Sequence, residues 1–115
     1  MPFVVFARSS SCAFKNGNRF MHNRGLGGTF LGIGAGPLTS AGIDNTGLGV
    51  SALGSLEDGQ DNTAVGARAA SSLVGGYVNT ALGSHALLSN VSGAANTAVG
   101  TSALANAKSN SNIAI

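Results

Sequence analysis

Ser84 and His85 are the one adjacent hydroxyl–imidazole pair in the chain, and Asp61 could orient such an imidazole. Nucleophilic catalysis needs nucleophile, base and orienting group held together. In an extended segment, neighbouring side chains leave on opposite faces, so Ser84-His85 is not expected to act as a pair. The His85 slot carries Gly34, Ser51, Arg68 and Ser102 in other copies of a repeat described below, which reads as a solvent position. His22 stands alone and reads as a surface or cap residue. Asp44, Glu57, Asp58 and Asp61 are hard oxygen ligands of the kind calcium takes, but they do not recur in later copies and read as solvated turn acids. Cys12 is the single cysteine, so no internal disulfide or zinc spacing exists. Gly32-Ile33-Gly34-Ala35-Gly36 is glycine-rich, yet no helix with an acidic partner follows at dinucleotide-binding spacing. No catalytic, cofactor-binding or metal-ligating residue is expected, and the chain is not read as an enzyme.

The framework that carries these residues is a strict repeat. Asn45-Thr46-Gly47-Leu48-Gly49, Asn62-Thr63-Ala64-Val65-Gly66, Asn79-Thr80-Ala81-Leu82-Gly83 and Asn96-Thr97-Ala98-Val99-Gly100 start 17 residues apart. Gly28-Thr29-Phe30-Leu31-Gly32 is a degenerate first copy. Asn112-Ile113-Ala114-Ile115 arrives one residue early and lacks the following glycine, so the expectation is a piece of a longer array. Ala35, Ala52, Ala69, Ala86 and Ala103 keep the same period, as do Gly42, Gly59, Gly76 and Gly93. A fixed period of this length predicts a stacked architecture. Each unit reads as a short strand, a glycine corner, an Ala-Leu segment and a polar turn. The Ala-Leu segment is predicted as a second short strand, with a helical turn as the alternative. The fold class is therefore all-β, a parallel β-solenoid of about five 17-residue coils over residues 28–115.

Composition agrees. Charged residues make up 9% and aromatics 5% of the 115, while glycine accounts for 18. Small side chains bury little area in a compact core but let coils stack closely. Residues 1–27 differ, holding Phe3, Phe6, Phe14 and Phe20 with Arg8, Lys15, Arg19 and Arg24. Asn16-Gly17 between Phe14 and Phe20 predicts a hairpin with a type I′ turn. This region is a cap on the stack or a leader. The net charge of +2 thus comes from the leader rather than from a basic face, which excludes nucleic acid as an expected partner. No run approaches the roughly 18 apolar residues of a membrane helix, so this segment is not expected to insert. Pro2–Ala7 is apolar but short and follows nothing basic, and is not read as a signal peptide.

Strand parity bears on function. Thr63 and Val65 share one face and Ala64 takes the other. If the aliphatic residue points inward, threonine goes with it, as Ile113 in the threonine slot suggests. The smooth Ala64, Ala81 and Ala98 face is then outside, suited to close approach of identical subunits. The asparagines precede each strand, where stacked amides can hydrogen-bond from coil to coil.

Asn-Thr-Ala-Val-Gly followed by Ser-Ala-Leu, and Arg19-Phe20-Met21-His22-Asn23 leading into Gly28–Gly32, resemble the repeats of trimeric surface proteins. These include bacteriophage tail-fibre and tail-spike shafts and the heads of trimeric autotransporter adhesins, which carry a related Ala-Ile-Gly strand motif in a parallel β-roll. The resemblance covers about residues 19–115. The period of 17 is longer than the usual adhesin-head unit. It implies a structural or adhesive segment of a secreted, cell-surface or virion fibre, a homotrimer, and a host-surface or glycan receptor met by the variable turns Glu57–Gln60, Val74–Tyr77 and Val91–Ala94. Two other readings compete. A threonine ladder at fixed period suggests an ice-binding solenoid, which the inward threonines oppose. The non-catalytic shaft of a tail-spike enzyme is the other, since the clustered carboxylates of a depolymerase are missing.

Overall fold

The computed structural model describes residues 4–7, 12–23, 26–37 and 42–115. They hold nine strands in one sheet, ordered in space as in the chain. Strands β1 (Val4–Ala7), β2 (Cys12–Lys15) and β3 (Asn18–His22) form an antiparallel meander. Asn16 and Gly17 turn β2 into β3 with φ of 50° and 76°, the predicted hairpin. β3 runs antiparallel to β4 (Thr29–Leu31). From there all pairing is parallel: β5 (Thr46–Leu48), β6 (Thr63–Val65), β7 (Thr80–Leu82), β8 (Thr97–Val99) and β9 (Ile113–Ala114). Thr29, Thr46, Thr63, Thr80 and Thr97 lie side by side without slip. The chain is a β-solenoid of about five coils with 17-residue spacing, and the molecule measures 42 × 27 × 15 Å.

Each of β4–β8 stops at glycine. Gly32, Gly49, Gly66, Gly83 and Gly100 have φ between 123° and 137°, a region closed to other residues. Packing adds a second reason: a β-carbon on Gly66 would lie 2.6 Å from the Gly83 carbonyl of the next coil.

The strand parity is the reverse of the one expected. Ala64, Ala81 and Ala98 are fully buried, as are Phe30 and Gly47 in the same row. The threonines and the Leu48, Val65 and Val99 side chains point outward, half-buried by their neighbours, and Ile113 is 74% exposed. The reason is the width of the coil. The interior is filled from the opposite wall by Leu53, Leu56, Leu73 and Leu87, with Ala52, Ala69 and Ala86. Behind the strand there is room for a methyl group only. The alanine row is therefore core, and cannot be the contact between subunits.

The first coil tests this volume argument. Phe30 occupies the alanine slot, and two neighbours give way to it. A β-carbon on Gly36 would come within 2.5 Å of the Phe30 ring, and one on Gly47 within 3.0 Å. Later coils place Leu or Ala in the Gly36 slot and Ala in the Gly47 slot. Close-packed interiors conserve volume in this way.

The Ala-Leu segment is neither strand nor helix but a run of turns. Ser51 and Leu53 have φ of 59° and 53°, Arg68 and Ala70 59° and 47°, His85 and Leu87 61° and 53°. Between each pair sits an alanine with ordinary φ. Amides alternate in use: Ala52 N–H donates within the turn to Gly49 O, while Leu53 N–H donates to Ala69 O of the next coil. Stacking thus supports backbone angles that cost a non-glycine residue roughly 1–2 kcal/mol. In the first coil the same two slots are Gly34 and Gly36, both with positive φ.

The asparagines form a buried ladder, as their position before each strand predicts. Asn62 Nδ2 donates to Asn45 Oδ1 at 3.0 Å and to Gly76 O at 2.7 Å. Its Oδ1 accepts from Asn79 N–H at 3.0 Å and Asn79 Nδ2 at 2.9 Å. Every hydrogen-bonding capacity of that amide is used. Gly59 and Gly76 are glycines for this reason rather than for positive φ: a β-carbon on Gly76 would press on the Asn79 amide at 2.8 Å and on Gly93 O.

Candidate functional site

The inverted parity leaves one ordered face to solvent, the outer side of β4–β8. Two rows run along it. One is Thr29, Thr46, Thr63, Thr80 and Thr97. The other is Leu31, Leu48, Val65, Leu82 and Val99, of which Leu31 and Leu82 are the most exposed. Neither row contains a charged residue. Sheet geometry sets the rows roughly 6.7 Å apart along the strand and their members about 4.8 Å apart between coils. The Asn ladder lies directly behind the start of each strand and holds that spacing. Sequence reasoning had the pairing of Thr and Val on one face right and the direction of the face wrong.

The chemically suggestive residues do not converge. Ser84 Oγ and His85 Nδ1 are hydrogen-bonded at 2.8 Å, which corrects the expectation that they point apart. That expectation assumed an extended segment, whereas His85 has φ of 61° and the turn brings adjacent side chains together. The contact is local. Among the described residues no hydrogen bond links His85 to a carboxylate, and Asp61 is exposed in its own turn. Asp44, Glu57 and Asp58 are likewise exposed. No group of three or more His, Cys, Asp or Glu side chains among the described residues is placed to hold a metal ion.

His22, expected as a surface or cap residue, is buried at the junction of the meander and the first coil. Its ring stacks on Phe30 with centroids 4.8 Å apart and planes at 24°. Its Nε2 donates to Ala35 O at 2.8 Å, so the imidazole is a packing element that ties β3 to the first coil. Cys12 is buried in β2. Gly34 and Gly36 serve the turn in the first coil, and among the described residues no helix follows them. Among the described residues no helix is long and apolar enough to cross a membrane.

A second exposed feature lies on the turns. Leu26, Ile43, Gln60 and Tyr77 are joined by parallel bridges, so their backbones stack in one row. Tyr77 is 45% exposed and its neighbour Val78 is 59% exposed. This row changes identity at every coil, unlike the strand face. No protein-family model matches the chain, and no curated protein or solved structure matches it either.

Proposed function

We propose that this chain is a structural or adhesive repeat segment of a secreted, cell-surface or virion fibre, assembled as a homotrimer and without enzymatic activity. The observation that carries the reading is the division of the coil into a constant frame and a variable rim. The frame repeats the same asparagine, corner glycine and core residues in coil after coil. The rim presents Glu57 and Asp58, then Val74 and Gly75, then Val91 and Ser92 at equivalent places, with Gln60, Tyr77 and Ala94 in a row beside them. A stack of this kind is stiff and displays its loops as an extended surface. A host-surface or glycan receptor is the partner class, since an exposed Tyr77 ring in the same row as Gln60 offers the stacking and amide chemistry that sugars accept. The alanine row is excluded as the subunit contact. Ile33 and Val50, beside the corners and 53% exposed each, supply apolar side chains for it instead.

Light scattering tests the assembly. The expected mass is three times the 11.2 kDa of the chain, falling to one chain in Val50→Glu. Binding to a panel of cell-surface glycans tests the adhesive part, with Tyr77→Ala expected to reduce it. A folded monomer at every concentration, bound to no glycan or surface, would refute the proposal.

A further inference from the structure

We propose that the outer face of β4–β8 binds ice. The argument starts from what a crystalline surface asks of a protein: a repeat in two directions, rigidity, and side chains that neither order water in a competing pattern nor hold it tightly. The two rows repeat along the stack and across the strand, with Thr46 beside Leu48, Thr63 beside Val65, Thr80 beside Leu82 and Thr97 beside Val99. Spacings of about 4.8 Å and roughly 6.7 Å are close to the repeats between water oxygens in an ice lattice. Threonine supplies a hydroxyl to join that lattice and a methyl group to sit in its hollows. The aliphatic row supplies methyl groups alone. Charges are absent from the ten positions, while Asp44, Asp58, Asp61, Arg68 and Lys108 all lie on the turns.

Rigidity comes from behind the face. Backbone pairing is unslipped from Thr29 to Thr97. The Asn45, Asn62, Asn79, Asn96 chain of amide bonds runs parallel to the threonine row, with Nδ2–Oδ1 distances of 3.0, 2.9 and 3.0 Å. β-branched threonine and valine add stiff side chains, since their χ1 freedom is restricted.

Area argues against a protein as the occupant. Five strands of three residues present roughly 20 Å by 10 Å, about 200 Å², against the roughly 800 Å² per partner of a stable protein interface. A second copy docked here alone would hold weakly. A lattice depends instead on registry, which this face has.

The test uses the full chain and polycrystalline ice in buffer. The expected result is a gap between melting and freezing points, inhibition of recrystallisation, and enrichment of the protein in a slowly grown ice hemisphere. Thr80→Tyr places a bulky ring in the centre of the face and should lower the recrystallisation-inhibiting potency at least tenfold. Ser55→Tyr, on an exposed turn, should leave it unchanged. Circular dichroism checks that each variant is folded, and Thr80→Lys serves in place of Thr80→Tyr if the latter is not. A native chain excluded from growing ice overturns the proposal, as does a folded Thr80→Tyr or Thr80→Lys variant with native potency. Light scattering covers the other occupant: an oligomer that dissociates in Thr80→Tyr, with no effect of the native chain on ice, makes the face a contact between copies and also overturns the proposal.

Discussion

Replacing Asn79 with alanine should cost far more than replacing Asn112, although both belong to the same ladder. Asn79 Nδ2 donates to Asn62 Oδ1 and Gly93 O, and its Oδ1 accepts from Asn96 N–H and Nδ2. In Asn79→Ala, Asn62 Oδ1 keeps the Asn79 N–H. The Asn96 N–H, one Asn96 Nδ2 hydrogen and Gly93 O lose a partner, and both residues are buried. Each orphaned group costs about 1–3 kcal/mol. Water entering the vacated space recovers part of this, so the expected loss is about 3–5 kcal/mol. Asn112 is half-buried, and its Nδ2 donates to Asn96 Oδ1 and Ser109 Oγ. Asn96 Oδ1 still accepts the Asn112 N–H in the variant, so Asn112→Ala strands nothing and should cost about 1 kcal/mol or less. Urea unfolding followed by circular dichroism measures both. On heating, the Asn79→Ala midpoint should fall by more than about 10 °C. Equal losses at the two positions, or less than about 1 kcal/mol at Asn79, would show that the amide ladder does not hold the coils together.

Three further outcomes follow from the packing. Gly66→Ala should destabilise the chain by at least about 2 kcal/mol more than Gly100→Ala in urea unfolding, because both carry the backbone strain of positive φ but only Gly66 faces the next coil's carbonyl at 2.6 Å. Phe30→Ala should cost about 3–5 kcal/mol, and Gly47→Ala should be less harmful in that background than alone; a double-mutant cycle with no coupling would contradict the shared-volume account. Ala81→Glu should unfold the chain, since it buries an unpaired carboxylate in the core, whereas Thr80→Glu on the outer face should remain folded by circular dichroism.

What the sequence determined by itself is the stack. In a solenoid each position lies on its own copy in the next coil, so recurrence alone names the ladders. Asn45, Asn62, Asn79 and Asn96 were legible as stacked amides, and the glycine after each strand as a corner, because no other residue accepts that backbone angle. Asn16-Gly17 was legible as a turn for the same local reason. The direction of the strand face was not. Alternation shows that Thr63 and Val65 share a side, but not whether that side is inside. The answer depends on how much of the interior Leu53, Leu56, Leu73 and Leu87 already fill from across the coil, which is a tertiary quantity. The Ala-Leu segment was hidden likewise, since Leu53, Ala70 and Leu87 adopt left-handed angles that their own propensities oppose and neighbouring coils enforce. Gly34 and Gly36 in the first coil were the one local trace of those angles. The Ser84–His85 contact and the outward threonines both depend on these two features, so the candidate site became visible only once the coil had closed.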